Sequence, residues 1–309
     1  MSDPPELPPI ASAPLSVLLL AHDDAPHLAE VLGGWVAQLR DLGRDYELLV
    51  VDDGSRDGTG GLAEFLAGRQ PRLRVLRHAE RRGLGAAFRT GLVAARHPLL
   101  LSAPCDRQYQ PADLKRFMDV IDKVHLVSGY REFARMPWWL RGVGLAYRAL
   151  SRLVLGDSPA PLPGWLGWSG HARRLLARIL FAVRLHDVDC AFRLFRRHIF
   201  NRIPVQADGR FVHVEILAKA NFLGYVMAEE PVPHQPRAGW AAEPWRQTLR
   251  AVRRLLSDPD FGPPEAGVRS QESGVSGQGA AGSQEAAEST QAPGPQDNRG
   301  PALPLPPAS

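Results

Sequence analysis

The chain is poor in cysteine and lysine, and it has no long uninterrupted apolar run. Its two cysteines, Cys105 and Cys190, lie far apart and match no zinc or Cys-x-x-Cys spacing, which argues against a disulfide framework or a structural metal. A reducing, cytoplasmic setting is the expectation. No stretch supplies the about 18 to 20 apolar residues of a membrane span, because Arg or His recurs through the most apolar helical region. The chain is expected not to cross a membrane, which leaves it free to lie on one. The opening MSDPPELPPIASAP places acids and prolines where an export signal has basic residues and an apolar run, so it does not read as one. No fixed-period repeat is visible.

What is present suits one large domain and a tail. At 309 residues, 44% hydrophobic and 23% charged, the chain can bury a substantial core. A formal charge of +4 is modest, and the basic residues are nearly all Arg. The guanidinium fork suits phosphate and carboxylate, although genome composition alone also produces such an excess. No nucleic-acid binding module is recognisable.

LSVLLLA, YELLVVDDGS and PLLLSAPCD are short apolar runs ending in polar or acidic turns, as buried parallel strands do. Helical patterns lie between them, over roughly 27–42, 60–66 and 85–95. The alternation predicts a doubly wound α/β sheet with its ligand at the carboxyl ends of the strands, where Asp52, Asp53 and Asp106 fall. Over 136–185 two helical stretches flank DSPAPLPGWLGWSG, which predicts a helical hairpin. A strand-like DCAFRLFRR follows, then a helix over about 212–220, then YVMAEEPVPHQ, whose prolines predict a terminal or edge strand. The expected organisation is a flexible N-terminus over 1–14, a domain over 15–262 containing the hairpin, and a disordered tail over 263–309 rich in Gly, Pro, Ser, Gln, Ala and Glu. Deletion of the tail is expected to leave folding intact.

VVDDGSRDGT places two carboxylates just after a buried strand, suited to a base N–H or ribose hydroxyls, with small residues that admit a nucleotide. An Asp cap and turn before a helix would use any two of the same residues. RRGLGAAFRTGL superficially matches a dinucleotide loop, but Ala87 and Phe88 stand where the last glycine would fall. A helix N-terminus carrying Arg81 and Arg82 toward an anion is the better reading.

The order LSVLLLAHDD, YELLVVDDGSRDGT, RRGLGAAFRTGL, PCDRQYQPADL, VSGYR, DVDCAFRLFRR, VHVEILAKA and EEPVPHQPRAG resembles the family 2 glycosyltransferases. Within them it is similar to the dolichol-phosphate mannosyltransferase and polyprenyl-phosphate glycosyltransferase group. The resemblance covers about 15–240. It implies a GT-A (nucleotide-diphospho-sugar transferase) fold, a doubly wound mixed sheet to which this chain adds the helical hairpin. It implies an inverting transfer from a GDP- or UDP-sugar, most naturally to a polyprenyl phosphate at a membrane surface. His22, Asp23, Asp52 and Asp53 then hold the base and ribose, although the first pair departs from the common Pro-Thr-Tyr-Asn-Glu form. Where the family has Asp-x-Asp-x-Gln, this chain reads Pro104-Cys105-Asp106-Arg107-Gln108. The first carboxylate is gone, leaving Asp106 and Gln108 for Mg²⁺ or Mn²⁺. Cys105 reads as a small buried hydrophobe rather than a ligand.

An ionised acceptor phosphate needs no strong general base, so charge management dominates and cations should surround both phosphates. The resemblance assigns this to Arg82 and Arg131 on the donor side and Arg141 and Arg237 on the acceptor phosphate, with Arg107 neutralising phosphate or facing solvent. It places Asp187 or Asp189 near the reaction centre. A neutral sugar acceptor would require a carboxylate base, Asp189 or Glu215. RLFRR reads as a solvated basic strand end. The hairpin, with Trp138, Trp139, Trp165 and Trp168 among arginines, suits a peripheral membrane segment, a packed subdomain or a homo-oligomer interface. The shortened metal motif also permits a different class, a catalytically silent nucleotide-sugar binding module or partner subunit.

Overall fold

The computed structural model describes residues 7–132, 181–183, 185–234 and 245–262, with backbone alone at 132 and 245–247. Arg141, Arg237, the four hairpin tryptophans and the tail lie outside the described residues. The first half alternates strand and helix: β1 (Leu15–Ala21), α1 (Ala25–Asp41), β2 (Tyr46–Asp52), α2 (Thr59–Ala67), β3 (Leu73–Arg77), α3 (Leu84–Ala94), β4 (Leu99–Pro104), α4 (Leu114–Val120) and β5 (Leu126–Glu132). The second contributes β6 (Arg193–Arg196), α5 (Val212–Phe222), β7 (Met227–Pro233) and α6 (Trp245–Ser257).

The strands form one mixed sheet in the order β3-β2-β1-β4-β6-β5-β7, with β6 antiparallel to both its neighbours. β1 and β2 are buried along their whole length because helices cover both faces, which is why they read as continuous apolar runs. Their side chains still alternate: Val17, Leu19 and Val50 enter one core with Leu28, Leu32, Trp35 and Leu39 of α1, whereas Leu18, Leu20 and Val51 enter the other with α3 and α5. The α1 residues recur every three or four positions, a single apolar stripe. β7 lies at the sheet edge, as its prolines predict. β3, at the opposite edge, is not among the strands the sequence predicts: two arginines interrupt its LRVLR, which beyond Leu73 is only partly buried or exposed.

Two expectations from the sequence are corrected here. Arg193 and Arg196 are not a solvated strand end; each is 1% exposed, because β6 runs between β4 and β5 in the middle of the sheet. Arg193 donates to the Ser128 hydroxyl and to the carbonyls of His213 and Val188 at 3.2, 2.8 and 2.7 Å. Arg196 donates to the carbonyls of Ile121, Asp122, Val124 and Pro8. A planar fork can satisfy several carbonyls that would otherwise be buried without donors. The N-terminus is likewise tethered over part of 1–14: Arg196 holds Pro8, and the Asp122 carboxylate accepts the N–H groups of Ile10 and Ala11 at 2.5 and 2.7 Å.

At the opposite end of the sheet from the acidic turns, buried Glu47 accepts from the Ser16 hydroxyl at 2.6 Å, the Arg96 N–H at 2.6 Å and the Arg74 guanidinium at 3.0 Å. Burial alone would push this carboxyl up, but the three donors outweigh it and hold it below its ordinary value. A depressed carboxyl stabilises the fold above its unfolded value near 4.5, and that contribution is lost as pH falls through the folded value. Glu47→Gln is expected to cost about 1–3 kcal/mol at neutral pH. Its melting temperature should also depend less on pH below about 4.5 than that of the parent. Parallel Tm-against-pH curves would refute the assignment.

Candidate active site

The acidic turns converge where the chain, having built β2 and β3 on one side of β1, crosses to place β4 on the other. Such a switch point opens a crevice at the carboxyl ends of the strands. Ala21 pairs with Asp52 and Leu20 with Pro104, while Asp53 N–H and Cys105 N–H each donate to β1 carbonyls at 2.9 Å. His22–Asp24, Asp52–Asp53 and Asp106–Gln108 thus share one rim.

Asp52 and Asp53, expected from the sequence to contact base and ribose, have internal partners. Asp52 is fully buried; one oxygen accepts from the Ser55 N–H and hydroxyl, the other from Arg77 Nε at 3.3 Å. Asp53 accepts from His78 Nδ1, Arg82 N–H and Gly83 N–H, each at 2.8 Å. These carboxylates shape the rim by tying the β2 turn to the loop before α3. Gly54 completes the turn at φ +66°, and a Cβ there would lie 2.3 Å from the Glu80 carbonyl carbon, so only glycine fits. His22 and Asp23 keep side chains 29% and 45% exposed. His22 Nδ1 is 2.9 Å from the Asp53 carbonyl, and Asp23, at φ +53°, accepts the Arg56 N–H at 2.9 Å.

Amides at the N-terminus of α3 have internal acceptors: Gly85 N–H donates to the Asp208 carbonyl at 2.6 Å, and the Asp53 carboxylate takes the N–H groups of Arg82 and Gly83. A Cβ on Gly85 would lie 1.9 Å from the Ala207 carbonyl oxygen, so the glycine pattern of RRGLG serves close packing rather than a dinucleotide. The exposed side chains of Arg81 and Arg82 remain as the cationic groups of this loop.

The shortened metal motif folds into a compact turn. Gln108 N–H donates to Asp106 Oδ1 at 3.3 Å and its side-chain amide donates to Asp106 Oδ2. The Gln108 carbonyl oxygen is 2.9 Å from His234 Nε2, just past the end of β7. Asp106, Gln108 and His234 are 7%, 3% and 7% exposed. His234 was not among the sequence candidates: it is 126 residues from Gln108, and only the sheet brings them together. Burial, then the Arg131 charge, lowers its pKa to about 4, so the imidazole is neutral near pH 7 and donates its Nε2–H to the Gln108 side-chain oxygen. Arg107, at φ +35°, turns away to Glu30 at 3.3 Å and His27 at 2.6 Å, both on α1. Cys105 is wholly buried, and burial together with nearby Asp24 and Asp106 pushes its thiol well up, in keeping with a packing role.

Arg131, at the end of β5, is not a free phosphate cation. Its Nε and terminal nitrogen grip the Asp187 carboxylate at 2.5 and 2.9 Å, a two-pronged ion pair 15% exposed on each side. Burial opposes both charges, yet each partner outweighs it: Asp187 stays below the usual carboxylate range and Arg131 rises well above its own. Tyr109 lies between this pair and the metal turn, its ring 5.5 Å from that of His234 and its oxygen 3.6 Å from Cys190 Sγ. Asp189 is half-buried beside the pair and gives its N–H to Asp187 at 3.1 Å. Glu215 is excluded as a base by its surroundings: it is 1% exposed, 2.9 Å from Lys219, and accepts the N–H groups of Gln206 and Ala207 at 2.8 Å each.

A mixed sheet carrying acidic turns at its β1/β4 switch point defines the GT-A class of glycosyltransferases. Solved structures agree in fold. Mannosyl-3-phosphoglycerate synthase from Rubrobacter xylanophilus aligns with a TM-score of 0.55 at 18% identity, over 79% of this chain and 74% of that one. Glucosyl-3-phosphoglycerate synthase from Mycobacterium tuberculosis, in complex with UDP, aligns at 0.53 and 18%, over 80% and 78%. Residues 16–203 match the model of glycosyl transferase family 2, and the chain belongs to that family. Among curated relatives, polyprenol monophosphomannose synthase of Mycolicibacterium smegmatis is 28% identical over 203 residues, 62% of this chain and 67% of that protein. Dolichyl-phosphate beta-glucosyltransferase of Dictyostelium discoideum is 25% identical over 257 residues, 80% and 74% of the two chains. The transfer activities in these names do not favour the silent-module alternative. Among the described residues, no helix is long and apolar enough to cross a membrane.

Proposed function

We propose that this glycosyltransferase moves a hexosyl group from a nucleoside-diphosphate sugar to a polyprenyl phosphate. The observation that carries the reading is the Asp106–Gln108–His234 chain at the switch point of a family 2 fold. The lipid acceptor is supported by relatives named for polyprenyl- and dolichyl-phosphate transfer.

Asp106 and Gln108 would hold a divalent cation through one anionic and one neutral side-chain oxygen of a single turn, with His234 orienting the Gln108 amide. Such an ion, when bound, would neutralise the leaving diphosphate. Two oxygen donors suit Mg²⁺ or Mn²⁺. Asp52 and Asp53 hold the rim on which the nucleotide rests, His22 and Asp23 face it, and Arg82 supplies positive charge beside the diphosphate. The acceptor phosphate oxygen attacks the anomeric carbon as the bond to the diphosphate breaks, with inversion. The attacking oxygen is already ionised, so no proton need be removed. Arg131, held by Asp187, supplies positive charge on the donor side, and Arg141 and Arg237 orient the incoming phosphate. Asp189 would serve as base only for a hydroxyl acceptor.

The test is transfer of radiolabelled sugar from GDP-mannose and UDP-glucose to undecaprenyl phosphate in detergent micelles, with and without Mn²⁺. Metal-dependent formation of a lipid-linked product from one donor is expected. Transfer to a water-soluble hydroxyl acceptor alone would overturn the acceptor assignment and turn attention to Asp189.

A further inference from the structure

The last described helix, α6, carries an asymmetry that the site does not explain. Its thirteen residues, WRQTLRAVRRLLS, contain four arginines and no acid, whereas the whole chain has 37 basic residues to 33 acidic. Val252 and Leu255 are 7% exposed and enter the core shared with α5, which fixes how the helix is turned. The outer side therefore presents Arg250, Arg253 and Arg254, all exposed, with Leu249 and Leu256 at 53% and 54% exposure. Leu249, Arg253 and Leu256 are spaced four and three apart, so they lie along one stripe. Just beyond the helix Phe261 stacks on Phe222 at 5.0 Å, and Phe222 is itself 76% exposed. None of the three arginines forms an ion pair among the described residues.

A helix anchored by two inward apolar residues gains nothing in folding from two outward leucines among three like charges. An anionic bilayer satisfies both features together: its headgroups attract guanidinium groups, and its acyl boundary accepts leucine side chains a few ångströms deeper. Nucleic acid would satisfy the charge but not the leucines. A second copy of the chain would bring arginines against arginines.

We infer that the outer face of α6 is a docking surface for anionic lipid headgroups, seating the protein on the membrane. α6 follows His234 by only eleven residues, which ties this surface along the chain to the active-site rim. The inference deepens the lipid-acceptor reading and rests on it for its purpose, but the binding itself is measurable with no acceptor present.

The test is co-sedimentation of the full chain with phosphatidylcholine vesicles with or without 30 mol% phosphatidylglycerol, containing no polyprenyl phosphate. Binding to the anionic vesicles alone is expected. The triple variant Arg250→Gln/Arg253→Gln/Arg254→Gln should lower it by about a hundredfold, roughly fivefold per arginine. Leu249→Ser/Leu256→Ser should lower it by about tenfold or more. All five side chains are exposed, so Tm should hold, and nucleotide binding provides a second check on folding. The inference is overturned if the parent ignores anionic vesicles, if the arginine variant binds them as the parent does, or if the face instead mediates dimers or retains RNA. Vesicle binding lost in the variants, beside absent transfer to polyprenyl phosphate, would uphold the docking surface while refuting the acceptor reading. Transfer in micelles without vesicle binding would do the reverse.

Discussion

Asp106→Ala is expected to lower transfer by about two to three orders of magnitude, several kcal/mol of lost charge stabilisation at the leaving group. Pro104 occupies the position where the family has a second carboxylate, so Asp106 is the one anion of the turn. Its removal leaves only the neutral Gln108 oxygen of the turn to hold a divalent cation. The fold should survive, because Asp106 lies in the turn past the end of β4 and its carboxylate receives Gln108, two residues away. Calorimetric titration with GDP and UDP, with and without Mn²⁺, separates the two effects. The parent should bind one nucleotide in a metal-dependent manner and the variant should lose that dependence at nearly unchanged Tm. Transfer retained within about threefold would retire the turn as a metal site, whereas nucleotide binding without any transfer by the parent would identify the silent-module alternative.

Asp187→Ala should act chiefly on the fold. It leaves the Arg131 guanidinium largely buried without its counter-charge, at a cost of about 3–5 kcal/mol. For a domain of this size that corresponds to a fall in Tm of roughly 10 °C or more. Replacing both partners by apolar residues, Arg131→Met with Asp187→Leu, should recover most of the lost stability, since a buried ion pair rarely exceeds a well-packed apolar pair. If Arg131 serves the donor diphosphate, the double variant stays inactive despite its restored fold. Recovered transfer in the double variant would show the pair to be structural alone. The acid side follows the same physics. Asp187 is held below its unfolded value, so its contribution is complete above about pH 4 and is lost as pH falls through the folded value.

The internal bonds of Asp52 and Asp53 bear on how a strand-end acid pair is read. A sequence pattern says that carboxylates are needed at that turn, not which way they face. In this chain three of their four oxygens accept backbone amides or the Ser55 hydroxyl, and the fourth meets Arg77. Glu215 teaches the same point more simply, because a carboxylate that receives two amides and a lysine supports a loop.

The sequence by itself determined the architecture. Buried parallel strands must be apolar throughout and must end in polar turns, so β1, β2 and β4 were legible, as were α1, α2, α3 and α5 between turn signals and the edge position of β7. It also located the rim, since Asp52, Asp53, Asp106 and Gln108 fall at strand ends. β3 escaped because two arginines interrupt its short apolar run at the sheet edge, and the buried arginines of β6 escaped because their carbonyl partners come from segments distant in the chain. Only the tertiary structure decided the partners: that His234 meets Gln108, that Arg131 is bound to Asp187, that Gly85 gives its amide to Asp208, and that Asp53 takes the amides just before α3. Apolar periodicity is local and survives in a linear string, whereas a hydrogen bond between residues 126 positions apart exists only once the sheet has fixed both ends.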